Sequence, residues 1–287
     1  MITKPKGKER IIYLFLVLSG YATLVILCSI IVYILLKGFS HISLEFITQT
    51  PRKMGAEGGI FPVIVGTFYF VTLTILIAAP LGIGAAIYLH EYTREGTITR
   101  IIRFGTELLA GIPSIIFGLF GYAFFVVLLG DITQGWSLLS GALTATCMIL
   151  PTIIRTSEEA LKTVSRSLRE ASLALGATRW QTIYKVVLPS SLPGILTGII
   201  LGIGRAVGET AALLLTLGGS LLMPQSLFHG TRTLSMHLYM VAMETGNMDA
   251  AYATGVILII IVLLINFIAN YGIKRLVTRN TTTTARS

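Results

Sequence analysis

The sequence predicts an all-α membrane protein with six transmembrane helices. Of its 287 residues, 54% are hydrophobic and only 12% are charged, and the mean hydropathy is +0.81. A soluble domain carries about 25% charged residues, so this chain has too little polar surface for a protein surrounded by water. Six apolar segments are each long enough to cross a bilayer. Helices are favoured for all six because an open strand leaves its backbone groups unsatisfied in lipid.

The predicted spans are apolar runs that begin and end near polar or charged residues. The first is free of charge between Arg10 and Lys37. In order, the spans are 11–36, 61–89, 108–130, 138–154, 188–217 and 250–273.

Lysine and arginine are distributed unevenly between the two sides of these spans. Seventeen of the 22 fall in the two tails and in the connections between spans two and three and between spans four and five. The opposite side carries only Lys37, Arg52, Lys53 and Arg232, and Arg205 lies within a span. The positive-inside rule therefore predicts cytoplasmic termini and a multi-pass protein of the cell (inner) membrane, with lipid around it. The net charge of +9 follows from this topology, and no basic face or nucleic-acid-reading motif indicates a nucleic-acid partner.

A glycine stripe marks the fifth predicted span. Gly194, Gly198 and Gly202 recur every four residues and make a flat surface that another helix can approach closely. The stripe predicts helix packing, either within the chain or at a subunit interface.

The connection 155–188 carries the most informative pattern in the chain. Ser165 through Leu175 can form a short helix with small residues on one side, and Gly176 is placed to end it. A polar helix of this kind suits docking into a groove of a soluble partner. An amphipathic connector lying on the membrane surface is the simpler alternative.

This connection resembles the EAA loop of ATP-binding-cassette (ABC) importer permeases, whose pattern is EAA, three residues, G, nine residues and I-x-L-P. The matching residues are Glu170, Ala171, Ser172, Gly176, Leu188 and Pro189. Ser172 replaces the second alanine of the pattern and Val186 replaces its isoleucine. The resemblance implies a type I ABC importer (MetI-like) permease fold. It also implies that this loop couples the chain to a separate ATPase subunit.

Further segments resemble phosphate-specific permeases of the PstA type. They are 58–60, 66–67, 108–121, 167–170 and 204–211. The resemblance covers about residues 58–275, a permease core with its coupling loop at about 155–188. It leaves a tail 1–10, a first span with its outer loop 11–57, and a tail 276–287. It implies a phosphate importer with a PstC-type permease, two PstB-type ATPases and an extracytoplasmic PstS-type binding protein.

Several catalytic motifs are absent from the sequence. No lysine sits in a phosphate-cradling P-loop, so ATP–Mg is expected in the partner ATPase rather than in this chain. The four histidines form no H-x-x-x-H pair, and no G-x-S-x-G nucleophile elbow occurs. We therefore expect a transporter subunit that has no catalytic residue, no metal and no cofactor of its own.

Four residues are candidates for a substrate path. Arg205 lies within a span, where an arginine costs about 2.5–3.5 kcal/mol and usually faces water or a partner. Glu209 follows at i+4, and this spacing predicts a shared helix face. The pair either fixes helix packing or forms an anion path to which Thr210 contributes a hydroxyl. Arg155 matches an arginine that the resemblance implicates in transport, although a positive-inside anchor explains it equally well.

Three other functions stay open on the sequence alone. The nearest is a permease of the same class for molybdate, sulfate or another solute. A membrane enzyme acting on a phosphorylated lipid could use Arg205 and Glu209, but no acidic residues or histidines cluster beside them. A self-contained channel would leave the EAA-like loop without a role.

Overall fold

The computed structural model describes residues 7–93 and 96–284. Residues 1–6, 94–95 and 285–287, which include parts of both predicted tails, lie outside the described residues. The helices are α1 (Gly7–Phe39), α2 (Leu44–Thr48), α3 (Phe61–Ile87), α4 (Thr97–Ala110), α5 (Ser114–Gly121), α6 (Gly130–Thr133), α7 (Leu138–Lys162), α8 (Arg166–Ala174), α9 (Arg179–Thr182), α10 (Leu188–Val207), α11 (Ala211–Thr216), α12 (Leu234–Met240) and α13 (Met248–Thr284). The described residues also form π-helical segments at Tyr88–Tyr92, Tyr122–Leu128, Ile183–Val187 and Val241–Thr245.

The described residues are mostly helical, which confirms the all-α prediction. Their one sheet is a two-residue hairpin in which β1 (Pro51–Arg52) pairs with β2 (Glu57–Gly58) in antiparallel register. Five helical segments are long and apolar enough to cross a membrane, and a bent helix pair makes a sixth if it counts as one span. The five are Arg10–Phe39, Phe61–Tyr92, Leu138–Lys162, Arg179–Val207 and Met248–Gly272.

The predicted start of the third span, 108–130, is wrong. The chain bends by 103° between Thr97–Ala110 and Ser114–Leu128. Pro113 explains the bend, because proline disfavours helical geometry in the residue before it and has no N–H to donate. Leu108 therefore belongs to α4, whose exposed Ile98 and Ile101 form the apolar side of an amphipathic helix.

The fourth and fifth predicted spans also end differently. Helix α7 continues past residue 154 to Lys162, because Lys162 pairs along the helix with Glu158 and Glu159 at 3.6 and 3.2 Å. Helix α10 ends at Val207 rather than at residue 217, and α11 begins after a break at 208–210.

The glycine stripe packs α10 against α7 within this chain. A Cβ added at Gly194 would meet Ala160, one at Gly198 would overlap the Thr156 side chain, and one at Gly202 would touch Ile153. The prediction of close helix packing is confirmed, and the partner is α7 rather than another subunit. Helix α3 approaches the same part of α7, where Gly82 lies directly against Ile153.

The remaining long helices are less embedded. Most of α1 is exposed, and its second half packs on α13, where the rings of Tyr33 and Tyr252 meet edge to face at 5.9 Å. At the opposite end of the bundle from α8, α11 and α12 contribute Leu213 and Met236 to a core shared with Phe70 of α3.

Candidate docking and translocation sites

The EAA-like residues form a short helix that projects from the bundle. Helix α8 begins after Ser165, and none of its residues is fully buried. Gly176 follows it with φ +84° and closes a Schellman motif. In this motif the Gly176 N–H donates to the Leu173 carbonyl at 2.9 Å, and the Ala177 N–H donates to the Ser172 carbonyl at 3.2 Å. The predicted helix and its glycine stop are confirmed.

Helix α9 starts immediately after this turn and leads into the membrane. Thr178 and Gln181 form a capping box, in which the Gln181 N–H donates to Thr178 Oγ1 at 3.3 Å and the Thr178 N–H donates to Gln181 Oε1 at 2.9 Å. The π-helical segment Ile183–Val187 then precedes Leu188 and Pro189, which begin α10. Because Pro189 has no N–H, it cannot donate to the carbonyl four residues earlier, and the regular α-helical hydrogen bonding is interrupted at this point.

Ser172, the departure from the EAA pattern, has a structural partner. Its Oγ lies 2.9 Å from Thr182 Oγ1, and this hydroxyl pair joins α8 to α9. An alanine at this position could not form the bond.

The outer side of α8 is open and partly apolar. Glu170 and Ala171 are exposed. Leu168 and Leu173 are each nearly half exposed, and Leu175 retains 89% of its accessible surface. Exposed leucines on a segment that resembles a docking loop are candidate contacts for a soluble partner. No residue in the described part of the chain covers them.

Arg169 is a residue of this loop that the sequence analysis assigned no role. Its Nη2 lies 2.8 Å from Glu91 Oε1, and the two side chains are 17% and 12% exposed. A second ion pair on the same side of the bundle joins α4 to α7, with Arg103 Nη2 2.7 Å from Glu158 Oε1. No sequence motif pointed to these pairs, because the partners are 78 and 55 residues apart in the chain.

Arg205 lies in the last turn of α10 and is half-buried. Its side chain makes no hydrogen bond or ion pair with any residue that the structure describes. A guanidinium inside a span is costly without a counter-charge or water. The position therefore suits an anion or a polar group from outside this chain.

Glu209 does not pair with Arg205, and the predicted shared helix face is wrong. The helix ends at Val207, which places Glu209 in the break before α11. Its buried carboxylate accepts a hydrogen bond from the Ala212 N–H at 3.1 Å, and its carbonyl accepts one from the Ser235 hydroxyl at 2.6 Å. Glu209 thus holds the break together. Thr210 is half-buried beside it, and its hydroxyl bonds to none of the described residues.

Arg155 is not brought next to Arg205. It lies on an exposed face of α7, two turns before that helix ends rather than at its end. Gly198 faces Thr156 and Gly202 faces Ile153, so α7 and α10 run antiparallel. At about 1.5 Å per residue, the two arginines are separated by about 10 Å along the helix axis.

A folded cap between α10 and α13 was not foreseen in the sequence. Gly218 bridges to Thr231, and buried Arg232 donates from Nε to the Gly219 carbonyl at 3.0 Å. His237 is fully buried on α12, and neither ring nitrogen has a partner among the described residues. Burial lowers the pKa of His237 to about 4, and the charge of Arg232 acts in the same direction.

The sequence matches a family of known transport proteins. The profile of the family described as "Binding-protein-dependent transport system inner membrane component" matches residues 78–281. The probable ABC transporter permease protein YqgI of Bacillus subtilis is 38% identical in an alignment of 262 residues that covers 86% of this chain and 88% of that protein. The phosphate transport system permease protein PstA of Pasteurella multocida is 34% identical over 212 residues, 74% of each chain.

Solved structures share the fold. A bacterial alginate ABC transporter in complex with its pentasaccharide-bound periplasmic protein matches with a TM-score of 0.70 and 16% identity, over 93% of this chain and 95% of that one. The inward-facing MetNI methionine ABC transporter matches with a TM-score of 0.57 and 24% identity, over 76% of this chain and 94% of that one. At these identities the likeness shows the fold alone, and it confirms the MetI-like prediction.

Proposed function

This chain belongs to the family of binding-protein-dependent transport system inner membrane components, and on that premise we propose that it is the phosphate-translocating permease subunit of an ATP-driven importer. It is a transporter subunit rather than an enzyme. Phosphate is the substrate class that the 34% identical relatives named as phosphate permeases support.

The observation that carries the proposal is Arg205, which lies in the last turn of α10 and has no hydrogen-bond or ion-pair partner among the described residues. Its forked donors match the oxygen atoms of a phosphate ion, and charged hydrogen bonds of this kind are short and strong. Thr210 is half-buried in the break after α10, and in this proposal it offers a hydroxyl to the same path. Arg155, farther along the bundle, provides a second positive charge for an anion that moves toward the side of α8. Glu209 orders the break beside Arg205 and has a supporting role.

The energy source in this proposal is a partner chain. Two PstB-type ATPases bind and split ATP–Mg, and one of them receives α8 of this subunit in a surface cleft. The exposed leucines of α8 and the exposed Glu170 support this docking surface. A PstC-type permease forms the other half of the path, and an extracytoplasmic PstS-type protein delivers phosphate. Closure of the ATPases on ATP moves α8 and alternates the access of the path.

The proposed orientation places both termini and α8 in the cytoplasm of a cell whose inner membrane holds the chain. The excess of lysine and arginine on that side supports it. The cap at 208–247 then faces the binding protein.

Uptake of radiolabelled phosphate tests the substrate and the role of Arg205 together. The complete importer is expressed in cells that lack other phosphate uptake systems, with Arg205, Arg205→Gln or the control Arg10→Gln. Arg10 is exposed at the start of α1 and should tolerate the change. Because a charged hydrogen bond contributes about 1.5–3 kcal/mol, Arg205→Gln should reduce uptake about tenfold or more at equal expression. Undiminished uptake would reject the anion path.

Competition separates phosphate from the other anions. Excess unlabelled phosphate should suppress the signal, whereas sulfate and molybdate should leave it nearly unchanged. Stronger suppression by sulfate or molybdate would identify a permease of the same class with a different cargo. Release of phosphate from a lipid by the purified subunit would instead favour a membrane enzyme.

A further inference from the structure

Helix α8 is tied to the membrane bundle by one charged side chain. Arg169 lies on the inner side of α8 and is only 17% exposed, although the helix has no fully buried residue. Its Nη2 and Nε donate to Glu91 Oε1 at 2.8 and 3.3 Å. Glu91 belongs to the π-helical segment Tyr88–Tyr92 that continues α3. The ion pair therefore joins α8 to the end of the second span.

The same guanidinium also holds the end of α7. Its Nη2 donates to the Leu161 carbonyl at 2.9 Å, and its Nη1 donates to the Val164 carbonyl. Carbonyls at a helix C-terminus lack partners within the helix and carry partial negative charge. A cation is favourable there, so Arg169 satisfies α7 and Glu91 at once. One side chain connects three elements.

The other side-chain link from α8 is much weaker. The Ser172–Thr182 hydroxyl pair leads only to α9 and from there to α10. A neutral hydroxyl bond contributes less than a charge-assisted one. The charged joint is therefore the stronger of these two side-chain links between α8 and the rest of the chain.

Helices α3 and α7 are packed closely against each other. Gly82 of α3 lies directly against Ile153 of α7, with no room for a Cβ between them. Close-packed interiors transmit displacement instead of absorbing it. A force on α8 that reaches Glu91 and the end of α7 thus acts on a single packed unit.

We propose that Arg169 is a positioning residue that transmits the movement of α8 to the α3–α7 pair. The inference rests on the proposed function, because it takes α8 as the part that the ATPase moves. Arg169 acts through Glu91, the Leu161 carbonyl of α7 and the Val164 carbonyl just after α7, rather than by touching phosphate. Without the joint, the ATPase still grips α8 and hydrolyses ATP, but the spans follow incompletely.

Lysine should replace Arg169 only in part. An ammonium can pair with Glu91 but does not have the planar fork that reaches Glu91 and two carbonyls together. Removing either Arg169 or Glu91 leaves the other charge partly buried without its main counter-charge, which is costly. The effects of Arg169→Gln and Glu91→Gln should therefore overlap rather than multiply.

The test uses the complete importer, reconstituted in proteoliposomes with its binding protein and ATPases. The variants are Arg169→Gln, Arg169→Lys, Glu91→Gln and the double variant Arg169→Gln/Glu91→Gln. The control is Glu57→Gln, which breaks an exposed ion pair with Lys53 of 2.6 Å far from α8. Three quantities are measured: ATPase subunits retained on purification, ATP hydrolysis stimulated by the binding protein, and phosphate transported per ATP.

The proposal expects retained ATPase subunits and continued hydrolysis with the Arg169→Gln and Glu91→Gln variants. Phosphate transported per ATP should fall about fivefold or more, the lower end of typical coupling between sites. Arg169→Lys should be intermediate, and the double variant should be no worse than Arg169→Gln.

Two results would overturn the proposal. Unchanged phosphate per ATP would show that the joint transmits nothing, and a parallel loss of ATPase subunits and hydrolysis would show that Arg169 only shapes the docking helix. If Arg169→Gln does not fold, Glu91→Gln decides, because it leaves α8 unaltered. A wild-type complex that hydrolyses ATP without moving phosphate would count against the proposed function instead.

Discussion

The carboxylate of Glu209 accepts a hydrogen bond from the backbone N–H of Ala212 at 3.1 Å. This bond satisfies one of the free N–H groups at the start of α11, as a capping side chain does. The carboxylate lies in the helix break at the start of α11 and forms no ion pair with Arg205 in the described part of the chain. The two ionisable groups at the end of α10 consequently have separate roles, and the positive one is left for a ligand.

Replacing Glu209 should test that division of roles. Glu209→Ala leaves the buried Ala212 N–H without a partner and should lower stability by about 0.5–2 kcal/mol, whereas Glu209→Gln keeps an acceptor oxygen and should lose less. Thermal unfolding of the detergent-solubilised complex measures the difference. Glu107→Ala is the control, because Glu107 is exposed on α4. Equal damage from Gln and Ala would indicate that the charge, not the cap, is what matters.

The glycine stripe gives a prediction about packing. Gly198→Ala places a methyl group on the Thr156 side chain and should destabilise the subunit by about 1–3 kcal/mol. Gly204→Ala on the same helix meets no atom within 4 Å and should be neutral or slightly stabilising. Adding Thr156→Ala to Gly198→Ala should restore much of the loss. The unfolding midpoint checks all three, and equal effects at 198 and 204 would contradict the packing.

Substitutions at Gly176 test the effect of backbone strain alone, because an added side chain is not crowded there. Its φ is +84°, yet no atom lies within 4 Å of an added Cβ. Asparagine tolerates left-handed geometry and a β-branched residue does not, so Gly176→Asn should preserve docking better than Gly176→Val. The measurement is the amount of ATPase subunit retained on affinity purification. A Val variant that retains as much ATPase as Asn would show that this turn does not position α8.

The buried His237 should make the stability of the cap at 208–247 depend on pH. Its pKa is about 4 in the folded chain, against 6.5 for the ordinary side chain. Between these values the unfolded state binds a proton that the folded state does not, so the stabilisation is complete above pH 6.5 and declines as the pH falls toward 4. The loss should amount to at most about 3 kcal/mol.

Amide hydrogen exchange of residues 231–241, corrected for the intrinsic rate at each pH, measures this decline. His237→Gln has no titrating group and should flatten the pH profile whatever its absolute stability. An identical slope in the variant would assign the decline to another group.

Much of the architecture could be predicted from the sequence, because few backbone structures can satisfy their hydrogen bonds within lipid. Apolar length and the Gly194–Gly202 spacing both depend on local composition, and the structure agrees with them in the existence of five or six spans and in the packing of α10 on α7. The orientation from the positive-inside bias stays a prediction. Helix α8 could also be predicted, since a glycine after a short polar helix is a local stop signal. The family resemblance added the MetI-like fold.

The features that could not be predicted are the breaks within helices and the contacts between residues far apart in the chain. Pro113 and the end of α10 lie inside apolar runs, and hydropathy does not detect a change of helix direction within such a run. The i, i+4 spacing of Arg205 and Glu209 assumed a continuous helix that stops at Val207. Arg169 looked like one more positive-inside residue, because Glu91 becomes its neighbour only when α3 and α7 pack together.

The most direct test of the account is phosphate uptake by sealed proteoliposomes, with and without ATP supplied on the ATPase side. The complete importer should accumulate phosphate only when ATP, the ATPases and the binding protein are all present. Vesicles that contain this chain alone should accumulate none. Phosphate movement by the chain alone, without a nucleotide-hydrolysing partner, would contradict the central claim that this bundle is driven through α8.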